Sequence, residues 1–113
     1  KRIYESRDAG DGLRLLVDRL WPRGLSKDRA SIDEWAKDLA PSDALRRGFA
    51  HKQENWAEFK RMYFEELGSP EKADKLEQIA REARKGNVTL LYAARDTEHN
   101  NAIALQEFVQ QMR

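Results

Sequence analysis

Two short and almost continuously apolar segments restrict the fold of this chain more than any other feature. They are residues 13–17, "LRLLV", and residues 88–94, "VTLLYAA". The first belongs to the predicted strand "LRLLVDRLW", residues 13–21, in which the alternation of side chains places Trp21 on the same side as Leu15 and Val17. A strand with one solvated face alternates apolar and polar residues, whereas a strand covered on both faces is apolar throughout. With a third candidate strand at "KRIY", residues 1–4, these segments predict an α/β fold. We expect a small, mostly parallel sheet of about three strands, flanked by several helices.

Segments with a helical spacing of apolar residues fill most of the remaining chain. Ser31 and Glu34 have the spacing of a capping box, which predicts a short helix beginning at Ser31 and stopped by Pro41. Asp96 or Thr97 is the predicted N-cap of the last helix. The other helices are expected at about residues 42–49, 55–67, 69–85 and 98–112.

The size and composition of the chain indicate one domain spanning residues 1–113. The 21 lysines and arginines nearly balance the 20 aspartates and glutamates, and the two signs alternate along the chain. A general nucleic-acid binder needs a basic face, so the balanced charge argues against a nucleic-acid partner. No segment resembles a signal peptide or a membrane span, which predicts a cytoplasmic protein without a membrane partner. The sequence does not indicate an oligomeric state.

Charged residues directly follow both predicted buried strands. Asp18 and Arg19 follow the first strand, and Arg95 follows the second. Ligands of parallel α/β sheets bind beyond the carboxyl ends of the strands, where loops and helix N-termini converge. If the two strands are parallel, these residues lie at the same edge, so we expect a cleft there that binds a phosphorylated or carboxylated small molecule.

Each candidate residue of this cleft has an expected role. Planar, bidentate hydrogen bonds from arginine suit an anion, and tryptophan offers an apolar wall. If the protein is an enzyme, a carboxylate or a histidine would move the proton. The expected ligand-binding residues are Arg19, Trp21, Arg23, Arg95 and Asn100, and the expected proton-transfer residues are Asp18, His51 and His99.

Two other interpretations remain open at this stage. Asp18 and Arg95 could form a structural ion pair across neighbouring strands, without any ligand. Alternatively, the protein is a non-catalytic module that binds a nucleotide, a nucleic acid or a protein partner. That alternative requires Trp21, Trp56 and Tyr63 to be exposed, whereas the small-molecule cleft requires them to be mostly buried.

The sequence gives no support for a metal or a cofactor. It contains no cysteine and only two histidines, and these two do not have the local spacing of a zinc motif. It also lacks a Walker loop, a dinucleotide-binding glycine motif and a nucleophile elbow. We therefore expect neither a metal nor a cofactor.

The segments "VDRLWPRG" and "LLYAARDTEHNNA" resemble the YeaO-like proteins, a bacterial family of unknown function. The resemblance extends over nearly the whole chain and includes "WAEFKRMYFEEL". It implies a small α/β fold and no particular reaction. The wider superfamily often carries cysteines at the second strand-to-helix turn, where this chain has none, so cysteine chemistry is not expected. The loop "FAHKQENW" departs from the usual family pattern but keeps His51.

Overall fold

The structure, a computed structural model, describes residues 1–50 and 52–112. Its centre is a parallel three-stranded sheet in the order β2-β1-β3. The strands are β1 (Leu13–Leu16), β2 (Glu34–Trp35) and β3 (Val88–Leu91). β1 is the middle strand and pairs with all four residues of β3. The predicted small parallel α/β sheet is therefore confirmed.

Five α-helices surround this sheet in the described part of the chain. They are α1 (Lys27–Ala30), α2 (Asp43–Phe49), α3 (Trp56–Leu67), α4 (Ala73–Lys85) and α5 (Asn101–Gln111). Short 3-10 turns occur at Ala9–Asp11, Lys37–Leu39, Gln53–Asn55 and Pro70–Lys72. None of the helices within residues 1–50 and 52–112 has the length and apolar character needed to cross a bilayer.

Both faces of β1 are covered, as its apolar sequence predicts. Leu15 and Val17 belong to the main core, which they form with residues of α2, α3, α4 and α5. Leu16 faces the other side and packs in a smaller cluster with Ile3 and Ala30. The alternation of side chains along a strand thus distributes the apolar residues between two cores, and only a doubly covered strand can use both.

The predicted helix at residues 31–40 is wrong. Ser31 ends α1 in the left-handed conformation, with φ 50°, and Ser26 is the residue that caps this helix. Asp33 N donates to Arg14 O at 2.8 Å and Ala36 N donates to Leu16 O at 2.8 Å, so the segment pairs with β1. Because these backbone bonds complete the sheet, they outweigh the local capping-box pattern.

Two further expectations about strands need correction. Residues 1–4 form only an isolated bridge, between Arg2 and Tyr92, so the third strand is β2. Trp21 does not continue the alternation of β1 to the side of Leu15, because the strand ends at Leu16. The indole of Trp21 packs instead beside Leu16 in the smaller cluster.

Candidate functional site

A cleft of about 640 Å³ lies at the carboxyl edge of the sheet. The parallel arrangement places the ends of β1 and β3 side by side, and the loops that follow them form its two walls. Six of the sequence-predicted residues line this cleft: Asp18, Arg19, Trp21, Arg23, Arg95 and Asn100. Two loops that are remote in sequence therefore meet where the pattern of strand ends predicts.

The carboxylate of Asp18 joins three elements at the base of the cleft. Its Oδ2 accepts a hydrogen bond from Ala93 N at 2.9 Å, and its Oδ1 accepts one from Asn101 Nδ2 at 3.2 Å. Asn101 Nδ2 also donates to Val17 O at 2.8 Å. These bonds hold the end of β1 against the end of β3 and the first residue of α5.

The structural ion pair between Asp18 and Arg95 is not formed within residues 1–50 and 52–112. Asp18 binds a backbone N–H and an amide instead, whereas the Arg95 side chain is exposed at the cleft. The interpretation of Asp18 and Arg95 as a structural ion pair is thus wrong, although Asp18 does have structural hydrogen bonds at this edge. Arg95 makes no ion pair in the described part of the chain.

The turn after β3 is ordered by Asp96 and Asn100. Asp96 Oδ1 accepts from Glu98 N at 2.9 Å and from His99 N at 3.0 Å, and these bonds hold the pKa of Asp96 below its ordinary value, the Glu98 bond most of all. Asn100 is buried, and its Oδ1 accepts from Ile103 N. The N-cap of α5 is therefore Asn100, not Asp96 or Thr97 as predicted, because Asp96 uses its carboxylate one turn earlier.

The loop after β1 presents Trp21 and Arg23 to the cleft. Trp21 Nε1 donates to Leu25 O at 2.6 Å, and its ring stands edge-on to Trp35 at 5.3 Å, so the indole is held in place. Arg23 is exposed, and its carbonyl accepts from the Tyr4 hydroxyl at 3.3 Å. Gly24, at φ 76°, then reverses the chain in the left-handed conformation that glycine adopts most easily.

Arg19 and Arg46 add positive charge to the cleft near the start of α2. Arg19 Nε donates to Pro41 O at 3.1 Å, and Arg46 Nη2 donates to Asp43 Oδ1 at 2.7 Å. Both side chains line the cleft together with Phe49 of α2. The wall formed by α2 is thus basic and aromatic at the same time.

The two histidines have different outcomes. His99 is not among the cleft residues: its Nδ1 lies 3.1 Å from Asp96 Oδ2, and its ring meets the Trp56 ring edge-on at 5.4 Å. Its expected proton-transfer role stays a prediction, with Asp96 as the group between it and the cleft. The other candidate, His51, lies outside the described residues.

Several cleft residues were missed by the sequence analysis. Arg46, Phe49 and Phe59 come from α2 and α3, whose placement over the sheet edge depends on tertiary packing. Asn101 adjoins the predicted Asn100, and the repeated asparagine in "EHNNA" is the local signal that points to it. Tyr4 reaches the rim through its hydrogen bond to the Arg23 carbonyl, and nothing in the sequence indicates that contact.

The described side chains do not suggest a metal centre. Across residues 1–50 and 52–112, no group of three or more histidines, aspartates or glutamates is arranged to hold a metal ion. The carboxylates of the cleft, Asp18 and Asp96, accept hydrogen bonds from backbone and amide donors. The chemistry that the cleft offers is therefore dominated by guanidinium groups and aromatic rings.

Comparison with known proteins places the whole chain in one family. Over 112 residues it is 39% identical to the uncharacterized protein YeaO of Escherichia coli strain K12, covering 99% of this chain and 96% of that protein. It is 36% identical over 108 residues to the uncharacterized proteins Rv3073c of Mycobacterium tuberculosis and Mb3100c of Mycobacterium bovis, covering 96% of this chain and 89% of each. No solved structure matches. The family described as the inactive DUF488-N3 subclade, DUF488-N3i, matches residues 1–113, and the chain belongs to it.

Proposed function

We propose that this protein binds an anionic small molecule, phosphorylated or carboxylated, in the cleft at the carboxyl edge of its sheet. One observation carries the proposal: of the described residues, four arginines and two aspartates line the same cleft. The arginines are Arg19, Arg23, Arg46 and Arg95. Guanidinium groups bind carboxylates and phosphates through paired hydrogen bonds, which makes such a cluster suited to an anion.

The two aspartates do not cancel this charge locally. Asp18 accepts from Ala93 N and Asn101 Nδ2, and Asp96 accepts from two backbone N–H groups. Neither carboxylate forms an ion pair with a cleft arginine in the described part of the chain. The guanidinium groups of Arg23 and Arg95 therefore remain available to a ligand.

Binding without catalysis is the activity that the site supports best. Two acids line the cleft, and both have structural hydrogen bonds. The carboxylate of Asp18 holds β1, β3 and α5 together, and that of Asp96 accepts from the backbone N–H groups of Glu98 and His99. A general base must instead be free to accept a proton from the substrate. The family description, which calls this subclade inactive, supports the same preference.

The alternative of a partner-binding module has weaker support. It requires Trp21, Trp56 and Tyr63 at the surface, but Tyr63 is completely buried and its hydroxyl donates to Leu39 O at 2.5 Å. Burial also raises the pKa of Tyr63. Trp21 and Trp56 are partly buried and packed against other aromatic rings. The aromatic residues thus serve the fold and the cleft more than an exposed surface.

The test is a titration followed by amide and side-chain nuclear magnetic resonance, with inorganic phosphate and succinate as probes. We expect saturable shifts at Ala93 N, at the Trp21 indole and at the Arg95 side chain. Arg95→Gln should weaken binding about tenfold, as expected for the loss of one charge-assisted pair of hydrogen bonds. Arg81→Gln, at an exposed position of α4, is the matched control and should bind as the unmodified protein does. Shifts spread over all arginines, and equal in both variants, would contradict the proposal.

A further inference from the structure

Two of the four arginines that line the cleft lie near Asp43, at the start of α2. Arg46 Nη2 lies 2.7 Å from Asp43 Oδ1, and Arg47 Nε lies 3.0 Å from Asp43 Oδ2. The hydrogen bond from Arg46 lowers the pKa of Asp43 most, and the charges of Arg47 and Arg19 add to the effect. One carboxylate thus faces three guanidinium groups, and two of these, Arg19 and Arg46, line the cleft.

Arg46 also carries a hydrogen-bond donor that the described residues do not satisfy. Its Nε is buried and has no acceptor within residues 1–50 and 52–112. A buried donor without an acceptor is costly, so proteins rarely leave one unpaired. Rotation of this side chain away from Asp43 would offer both Nε and Nη2, which now contacts that carboxylate, to the oxygens of an anion.

Apolar side chains line the cleft beside these arginines, and the cleft is much larger than a simple inorganic anion requires. Phe49 and Phe59 stack with ring centroids 4.4 Å apart, and both line the cleft. Leu20, with 60% of its surface exposed, stands at the rim beside the fixed indole of Trp21. The volume of about 640 Å³ falls in the range of pockets that bury an organic ligand within apolar walls.

We infer that the ligand is an organic anion with an aromatic-sized apolar body. Its phosphate or carboxylate group binds among the four arginines of the cleft, where Arg46 offers its unsatisfied Nε. Its body packs against the apolar residues of the lining, which are Leu20, Trp21, Phe49 and Phe59. This inference rests on the proposed anion-binding function and deepens it, because it specifies what the anion is attached to. Burial of the apolar body supplies affinity, while the guanidinium groups fix the orientation of the ligand.

The test compares ligands that share a head group and differ in their body. Phenyl phosphate is titrated against methyl phosphate, benzoate against acetate, and phenol serves as the uncharged aromatic probe. We expect the better aromatic anion to bind at least tenfold more tightly than its small partner, and phenol to bind more weakly than that anion. Whether phenyl phosphate or benzoate binds more tightly identifies the head group.

Three variants test whether the charged group of the ligand binds the arginines and whether its apolar body packs against the apolar lining. Arg46→Lys keeps the charge but removes the planar fork, and should weaken phenyl and methyl phosphate by the same factor, about tenfold. Leu20→Ala changes an exposed residue and should reduce the preference for phenyl over methyl phosphate about threefold. Arg47→Lys is the control, since Arg47 also contacts Asp43 but does not line the cleft, and it should change neither affinity.

The possible failures can be distinguished. Equal affinities for the aromatic and small anions would overturn this inference and leave the proposed anion-binding function intact. If no anion binds, or if phenol binds as tightly as the aromatic anions, both the inference and the proposed function fail. If the Leu20→Ala and Arg46→Lys variants keep both the affinity and the preference for aromatic anions, the aromatic anions bind outside this cleft.

Discussion

The amide of Asn101 donates to the carboxylate of Asp18 at 3.2 Å, across 83 residues of sequence. The same amide nitrogen donates to Val17 O at 2.8 Å. Asn101 is the first residue of α5, so one side chain ties the start of this helix to the end of the central strand. The edge of the sheet on which the cleft is built thus depends on an asparagine for its geometry.

Asn101→Ala should destabilise the protein by about 1–2 kcal/mol, because it leaves Val17 O and one oxygen of Asp18 without this donor. Urea unfolding followed by circular dichroism measures the loss. Gln106→Ala, which removes an exposed amide from the same helix, is the matched control and should change the free energy of unfolding by less than about 0.5 kcal/mol. Equal effects of the two variants would contradict the role of Asn101 in connecting α5 to the end of β1.

The second prediction concerns Arg14, whose guanidinium is completely buried in β1. It donates to Asp11 Oδ2 at 2.5 Å, to Ser31 O at 2.9 Å and to Ala30 O at 3.1 Å. Arg14→Met should cost about 3–5 kcal/mol, because Asp11 and two carbonyls lose their partner in a buried position. Thermal and urea unfolding of the variant would show this loss.

Arg7→Met is the control for Arg14→Met. Arg7 pairs with Asp33 at 3.6 Å, and half of its side chain is exposed. Exposed pairs contribute little, so this variant should lose less than about 1 kcal/mol. If Arg14→Met were no more destabilising than Arg7→Met, the buried ion pair would not organise the end of α1.

The third prediction is a loss of stability in acid that depends on Asp11. The hydrogen bond from Lys1 lowers the pKa of Asp11 in the folded protein, and the bond from Arg14 adds to it. A carboxyl whose folded pKa is depressed stabilises the protein above its unfolded value, here 3.8, and loses this contribution as the pH falls below that value. We therefore expect the free energy of unfolding to decrease from pH 5 towards pH 2.

Asp11→Asn should flatten this dependence. The variant should be less stable than the unmodified protein at pH 6, and the difference in the free energy of unfolding should narrow steadily as the pH falls from 4 towards 2, as measured by urea unfolding at each pH. Asp43, Glu58 and Asp96 also have lowered pKa values, so part of the acid sensitivity should remain in the variant. Parallel curves for the two proteins across this range would show that Asp11 does not contribute.

The strands β1 and β3 could be predicted because their own residues are mostly apolar, as expected for strands that are covered on both faces. β2 could not be predicted, because its two residues, Glu34 and Trp35, have no strand pattern of their own. They join the sheet through backbone hydrogen bonds, such as the one from Ala36 N to Leu16 O. A capping-box pattern is local and weak, whereas sheet pairing depends on a partner elsewhere in the chain. The sequence therefore indicates the strands that are apolar in themselves, and it misses the two-residue strand β2, which has no such pattern.

The same distinction explains which cleft residues could be predicted. Asp18 and Arg95 follow strands, and a parallel sheet necessarily brings the ends of its strands together. Arg46 and Phe59 reach the cleft because α2 and α3 pack over this edge, and the apolar stripe of a helix does not say which edge it will cover. Loop-borne ligand residues are thus predictable from topology, while those from packed helices require the tertiary structure.

The last prediction separates two candidate caps of α5. Asn100 Oδ1 accepts from Ile103 N at 3.0 Å, and its Nδ2 donates to Asp96 O at 2.9 Å, in a position that is 1% exposed. Asn100→Ala should cost about 2 kcal/mol, because it removes both the cap and a buried donor. Thr97→Ala, at the position that the sequence pattern favours, should cost less than about 0.5 kcal/mol because Thr97 is exposed and lies outside the helix. Urea unfolding of both variants measures the difference, and a larger loss for Thr97→Ala would mean that the helix begins where the sequence pattern places it.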